Sequence, residues 1–192
     1  CECCPTAMIA MPSGTLVAYR DRDDDERRDI ALARRSGDDW IPAYDLHRDD
    51  WVIAGCPVNG PALDARHDAV VAAWYTGGEH AGVHAAFSTD GGETFTPPTV
   101  VAGDTALGRV DVAWVSASVA VVTWIDSDGD KAVLMSRLIN PNQEPDAATV
   151  VSPVQTGRRS GYPRVCSTGD STLAVWTAQD PKQGLQATLL GE

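Results

Sequence analysis

Four of the five cysteines of this chain stand where their thiols could act together. Three of them, Cys1, Cys3 and Cys4, open the chain, and the fourth is Cys56. Thiolates bind Zn²⁺ or Cu(I), and four of them complete a closed tetrahedral site. The alternative is a disulfide that joins Cys56 to one of the first three and so pins two loops together. The sequence leaves both open, and it predicts Cys166 to be a buried thiol.

A pair of Arg-Asp dipeptides is the second group with chemical potential. Arg20 and Arg28, the latter followed directly by Asp29, frame an acidic loop. A guanidinium binds a carboxylate through two parallel hydrogen bonds, which makes either arginine a candidate ligand for an acidic substrate. The alternative is a set of surface ion pairs that contribute little.

Alternating aspartates occur twice, as Asp21-x-Asp23-x-Asp25 and as Asp126-x-Asp128-x-Asp130. Such a pattern can bind Ca²⁺, but Leu32 and Arg137 stand where an EF-hand loop requires its twelfth-position Glu. The sequence therefore favours solvated acidic loops over calcium sites.

The charge balance narrows the choice of partners. The chain has 15 Lys and Arg against 27 Asp and Glu, a net charge of −12. Such a surface repels nucleic acid and anionic membranes. No apolar run reaches the ~18 residues of a membrane span, so we expect neither nucleic-acid binding nor membrane insertion. The cysteine content favours an exported protein, periplasmic or secreted. Because the chain opens on Cys1, we expect either that a leader and more have been removed or that the chain is a fragment.

Four similar segments recur with a period of about 50 residues, each ending in an aromatic residue. They are Thr15 to Tyr19, Val70 to Trp74, Ala120 to Trp124 and Thr172 to Trp176. A short apolar strand precedes each segment, a polar loop and a third strand follow it, and a fourth strand closes three of the units. Four short antiparallel strands per period predict an all-β protein built of propeller blades, here at about 1–54, 55–104, 105–157 and 158–192.

The octet from Ser88 to Phe95, Ser-Thr-Asp-Gly-Gly-Glu-Thr-Phe, predicts a tight hairpin turn between two strands. It resembles the Asp-box of sialidase-like (BNR-repeat) β-propellers. The opening Cys-Glu-Cys-Cys-Pro, Gly55-Cys-Pro and Trp74-Tyr-Thr-Gly-Gly resemble exported bacterial sialidase-like proteins. The resemblance implies a ring of about six blades. Residues 1–192 would supply about three and a half of them, and the missing N-terminal blades of the same protein would be a partner.

The same resemblance implies where a ligand binds. In such propellers the loops that precede the first strand, and those that join the second strand to the third, lie on one face, here called the upper face. Sialidases hold the sialate carboxylate with three arginines and use a Tyr nucleophile activated by a Glu, with an Asp as acid and base. The candidates carried over to this chain are Arg20, Arg28, Asp29, Tyr75, Glu79 and Arg109. The Phe/Tyr-Arg-Ile-Pro signature of these enzymes is absent from this chain.

Two functions follow from these observations. The first is a glycan-directed propeller of the sialidase superfamily, with exo-sialidase-type hydrolysis of a terminal acidic sugar as its catalytic form. The second is a non-catalytic exported propeller whose cysteine-rich face binds Cu, Zn or a partner protein. Fold resemblance by itself does not choose between them.

Overall fold

A computed structural model describes residues 4–168, 170–178, 180 and 184–190 as an all-β protein of four antiparallel sheets. Three sheets have four strands and the last has three, which confirms the predicted blades. Blade 1 contains β1 (Ala7–Met11), β2 (Gly14–Arg20), β3 (Ile30–Ser36) and β4 (Asp39–His47); blade 2 contains β5 (Ala62–Arg66), β6 (Ala69–Thr76), β7 (Gly82–Ser88) and β8 (Thr99–Ala102). Blade 3 contains β9 (Ala106–Trp114), β10 (Ala120–Asp128), β11 (Lys131–Ile139) and β12 (Thr149–Val154); blade 4 contains β13 (Arg164–Ser167), β14 (Thr172–Thr177) and β15 (Leu185–Leu190).

Strand order follows chain order in every sheet, because each strand pairs with the next through a hairpin or short loop. The first strands β1, β5, β9 and β13 contact one another in sequence, so they form the inner ends of the four blades. No helix in the described residues is long and apolar enough to cross a membrane.

The core lies between the blades, where neighbouring sheets pack face to face. The aromatic ends of the repeated segments enter it: Trp74, Trp124 and Trp176 are buried. The largest cluster joins blades 2 and 3 through the buried residues Trp114 and Phe87, whose ring centroids are 5.6 Å apart. The repeated segments therefore supply core residues as well as strands.

Aspartates on two first strands join neighbouring blades. Asp64 in β5 accepts a hydrogen bond from the Trp114 backbone N–H at 2.7 Å. Asp111 in β9 accepts one from the Val165 N–H, also at 2.7 Å. Each carboxylate thus binds the backbone of the next blade's first strand.

The octet forms the predicted turn between β7 and β8. The Asp90 carboxylate accepts hydrogen bonds from the Thr94 backbone at 3.0 Å and the Thr94 hydroxyl at 2.6 Å. The Ser88 hydroxyl donates to Asp90 and accepts from the Gly92 N–H at 2.9 Å. Gly91 and Gly92 have φ of 71° and 83°, the left-handed conformation that favours glycine.

Two details differ from the sequence prediction. The short strand that precedes the third repeated segment is predicted from Asp111 to Val115, but β9 begins at Ala106, because it continues upward through a bulge around Gly108. Cys166 is exposed and not buried. In β13 the alternation of faces turns Val165 inward, so its neighbour Cys166 faces outward.

Candidate functional site

The predicted site residues lie at or next to strand ends on the upper face. Arg20 ends β2, and Arg28 and Asp29 directly precede β3. Three others come from blades 2 and 3: Tyr75 lies near the end of β6, Glu79 in the loop after it, and Arg109 in the upper part of β9.

Arg20 is buried, and its hydrogen bonds link two blades, so it is not exposed to bind a substrate. Its side chain is 1% exposed, and its guanidinium donates to the backbone oxygens of Asn59 at 2.6 Å, Tyr75 at 2.5 Å and Arg28. It also lies 4.9 Å from the centre of the Trp51 ring. Burial lowers the pKa of Arg20 to about 10, so it remains charged at neutral pH. The predicted role of Arg20 as a carboxylate ligand is therefore corrected, because its donors face carbonyls inside the protein.

Arg28 and Asp29 are also largely buried, each 5% exposed. Arg28 forms an ion pair with Glu26 at 2.5 Å, while its Nε has no hydrogen-bond partner among the described residues. Asp29 accepts hydrogen bonds from the backbone N–H groups of Asp50 at 3.1 Å and Trp51 at 3.2 Å. Burial raises the pKa of Asp29 even though these two hydrogen bonds oppose the shift.

The surroundings of Tyr75 and Glu79 do not favour the predicted pair of nucleophile and base. The Tyr75 ring packs edge-on against Trp51, with 5.6 Å between the ring centroids. Burial raises the pKa of the Tyr75 hydroxyl, which is opposite to the shift that activates a phenol. Glu79 is exposed, and no hydrogen bond within the described residues joins it to Tyr75.

Asn59 connects the loops of three blades, and the sequence analysis did not single it out. This buried residue accepts from Arg20 through its backbone oxygen and from the Arg109 N–H through Oδ1 at 2.9 Å. Its Nδ2 donates to the Leu107 oxygen at 3.2 Å. A Cβ on Gly108 would lie 2.4 Å from Oδ1, so only glycine fits there. The Asn-Gly pair at Asn59 is a turn signal, but nothing in the sequence shows that its amide reaches blade 3.

Arg109 and Tyr162 lie together at the inner end of the upper face. The Arg109 guanidinium is 4.8 Å from the centre of the Tyr162 ring and donates to the oxygens of Gly161 at 3.0 Å and Gly157 at 3.3 Å. The Tyr162 hydroxyl donates to the Val58 oxygen at 2.8 Å, and its side chain is 38% exposed. This aromatic residue is accessible beside a cation.

Strained backbone is concentrated on the same face. Among the residues that the structure describes, five non-glycine residues have positive φ, and four of them lie on the upper face: Glu26, Asp50, Val58 and Arg109, with φ between 50° and 61°. A β-branched residue such as Val58 rarely adopts this conformation. Strain of this kind costs about 1–3 kcal/mol per residue and clusters at functional sites.

Cys56 forms a disulfide, so the four cysteines do not supply the four thiolates of the predicted metal site. Cys56 is disulfide-bonded, so in this state it offers no thiolate to a metal ion. Cys4 keeps its thiol, while Cys1 and Cys3 lie outside the described residues. The described residues contain no group of three His, Cys, Asp or Glu arranged to hold a metal. The donor set does not fit the predicted four-thiolate site as long as the disulfide is intact.

No protein-family profile and no curated protein matches this chain. Solved structures do match it over nearly its whole length. A Hadza microbial sialidase, Hz136, is 17% identical, with a TM-score of 0.54 over 96% of this chain and 45% of that one. A Dyadobacter fermentans protein of unknown function is 14% identical, with a TM-score of 0.60 over 97% of this chain and 68% of that one.

A third structure, GH43B of a Bacteroides ovatus xyloglucan locus, is 10% identical, with a TM-score of 0.58 over 97% of this chain and 38% of that one. The chain thus spans less than half the length of the sialidase and of the GH43 protein. These likenesses show the fold: an all-β propeller of the kind found in glycoside hydrolases.

Proposed function

We propose that this chain is part of an exported, glycan-directed propeller of the sialidase superfamily, whose upper face binds a terminal sugar. The observation that carries the proposal is the concentration of left-handed, non-glycine backbone on that face. Such conformations persist only where the surrounding structure enforces them, and here Asn59 and Asp29 do so by binding the backbone N–H groups of Arg109 and Asp50.

The side chains at this place suit a sugar. Tyr162 offers an accessible ring of the kind that packs on the apolar face of a pyranose, and Arg109 beside it attracts a carboxylate or hydroxyl. In a chain of net charge −12, Arg109 is the arginine that offers positive charge to an acidic sugar at this place, because Arg20 is buried and Arg28 pairs with Glu26.

The geometry favours binding over exo-sialidase hydrolysis. Burial raises the pKa of Asp29, as is expected of a general acid. Its carboxylate oxygens, however, accept hydrogen bonds from the backbone N–H groups of residues 50 and 51. Arg20 is not accessible, and the raised pKa of Tyr75 opposes its action as a nucleophile. Hydrolysis therefore remains the less supported form of the proposal.

Calorimetric titration with sialyllactose and with lactose tests the proposal. We expect Tyr162→Ala to weaken sugar binding about three- to tenfold, the value of one aromatic contact. Trp40→Ala is the matched control, because Trp40 is 56% exposed on β4, away from the upper face. The proposal is contradicted if the chain binds neither sugar, or if both variants lose the same amount of affinity. Release of sialic acid by the wild-type chain would instead show that the chain hydrolyses the sugar.

A further inference from the structure

A groove of about 480 Å³ lies between blades 2 and 3 on the lower face, which is the face opposite the candidate sugar site. Its walls come from the end of β7 and the octet in blade 2, and from the end of β9 and the loop after β11 in blade 3. Both of these blades are four-stranded sheets, so the groove lies between two finished elements. Its volume is that of an ordinary site for a small ligand.

The loop that joins β11 to β12 leaves this space open. Between blades 1 and 2 the octet fills the corresponding space, because Gly92 packs so closely on Leu16 that a Cβ would lie 2.8 Å from the Leu16 Cδ2. The corresponding loop of blade 3, residues 140–148, contains two prolines and no glycine. It therefore lacks the left-handed Gly-Gly turn that makes so close an approach. Pro141 and Asn142 of this loop line the groove instead of filling it.

Trp114 lines the groove and has an indole N–H without an acceptor. The residue is 7% exposed, and its Nε1 has no hydrogen-bond partner among the described residues. The tryptophans that end the repeated segments all have an acceptor for this group. The pairs are Trp74 with Asp49 (2.8 Å), Trp124 with Asp126 (2.8 Å) and Trp176 with Gln186 (3.2 Å). A buried donor without an acceptor is unfavourable, so a ligand oxygen that reaches Trp114 gains a hydrogen bond that the protein does not supply.

The remaining walls offer aromatic rings and uncharged polar groups. Phe87 and the half-buried Phe95 contribute two further rings. The hydroxyls of Thr89 and Ser118 and the amide of Asn142 belong to exposed residues of the same walls. No Asp, Glu, Lys, Arg or His of the described residues lines the groove, although 22% of the chain is charged. The groove therefore suits a ligand without charge.

We propose that this groove is a second sugar site, which binds an uncharged hexopyranose. One face of a pyranose ring is apolar and packs on aromatic rings, and its hydroxyls both donate and accept hydrogen bonds. Such a ligand meets the indole N–H, the hydroxyls and the amide together. A hydrocarbon would leave these groups without partners, and an acidic sugar would lose water from its carboxylate without meeting a cation. No residue of the upper-face site lines the groove, so the inference does not depend on the proposed function.

Heteronuclear NMR of the indole N–H groups tests the proposal directly. Each of the six tryptophans gives one indole signal, and Trp114→Phe identifies the signal of Trp114 by its loss. We expect a methyl pyranoside of glucose, galactose or mannose to shift this signal saturably at millimolar concentration, because the indole N–H gains an acceptor. The methyl glucuronide, which has the glucose ring with a carboxylate, should leave the signal in place.

Asn142→Ala should weaken binding of the neutral glycoside about three- to tenfold, the value of one hydrogen bond. Gln143→Ala is the matched control, because Gln143 is exposed in the same loop and does not line the groove. The proposal is overturned if none of the neutral glycosides shifts the Trp114 signal, if the glucuronide shifts it equally, or if the two loop variants bind equally well. Each of these outcomes is read at Trp114 or Asn142, so it is separate from the effect of Tyr162→Ala on the upper face.

Discussion

Buried or half-buried polar side chains, each hydrogen-bonded to backbone, hold the loops and blades of this protein in place. Arg20 and Asn59 meet at the upper face and tie the loops of blades 1, 2 and 3, while Asp64 and Asp111 tie the first strands beneath them. A buried group of this kind is costly to leave without its partner. Arg20 and Asn59 therefore position the loops of the upper face, whereas Asp64 and Asp111 join neighbouring blades.

Asp111 makes the stability of the chain depend on pH. Burial raises the pKa of Asp111 from 3.8 to about 6, although hydrogen bonds from the Val165 and Val112 backbones and the Arg164 guanidinium at 3.1 Å oppose the shift. The folded state therefore binds the proton more tightly than the unfolded state. The stabilisation from Asp111 is complete below pH 3.8 and is lost as the pH rises through about 6.

We expect the free energy of unfolding of the wild-type chain to fall by about 1–2 kcal/mol between pH 5 and 7 relative to Asp111→Asn. The amide keeps an acceptor for the Val165 N–H but does not titrate in this range. Urea titrations of both proteins at several pH values provide the measurement, and the difference cancels the other titrating groups. If the free energy of unfolding depends on pH in the same way in both proteins, Asp111 is not responsible for the pH dependence.

At the scale of elements, the octet turn both closes a hairpin and docks one blade on the next. Its internal hydrogen bonds are centred on Asp90 and Ser88, while Gly91 and Gly92 allow contact with blade 1. Burial alone would raise the pKa of Asp90, but the hydrogen bonds from Thr94, Ser88 and the Glu93 backbone lower it to about 2. The carboxylate is therefore ionised at neutral pH and accepts all of these bonds.

Asp90→Ala removes the acceptor of the Thr94 backbone and hydroxyl bonds. We expect it to lower the free energy of unfolding by about 1–2 kcal/mol, the usual effect of losing such bonds. Asp130→Ala, in the exposed turn between β10 and β11, is the matched control and should change stability by less than about 0.5 kcal/mol. Equal melting temperatures for wild type and Asp90→Ala would refute the structural role of the turn.

At the scale of the whole molecule, the upper face is assembled from loops of all four blades, with few regular elements of its own. These loops are held by hydrogen bonds that backbone N–H groups donate to the side chains of Asp29 and Asn59, and by the disulfide at Cys56. A disulfide stabilises the folded state mainly by restricting the unfolded chain. It therefore compensates for the small packed core of these loops. The order of the upper face should therefore depend on the redox state of Cys56.

Cys56→Ser should lower the free energy of unfolding under oxidising conditions by about 2–4 kcal/mol. Addition of reductant should destabilise the wild-type chain but not the variant. Cys166→Ser, at an exposed thiol outside any disulfide, is the control and should have little effect. Metal analysis of protein purified without chelator completes the experiment. Near-stoichiometric copper or zinc that is lost in Cys56→Ser would contradict the disulfide and support the metal site.

The sequence by itself determined the blades. The aromatic-ended segments from Thr15 to Tyr19 and from Val70 to Trp74, and the octet at Ser88, encode strands and turns through local alternation and turn chemistry. Each of the four repeated segments lies within an observed strand, and most of their ends differ from the strand ends by no more than two residues, because such signals are local. The bulge at Gly108 was missed, since it depends on the amide of a distant Asn59.

Only the tertiary structure decided what the charged side chains do. Arg20, Arg28 and Arg109 are arginines of similar local context, yet the first is buried against three carbonyls, the second pairs with Glu26 and the third lies beside an accessible Tyr162. Arg28 has a local partner, whereas Arg20 and Arg109 bind backbone oxygens of other blades, at sequence separations that no local pattern records. A repeat specifies each blade through neighbours in sequence, whereas the upper face is made where blades meet.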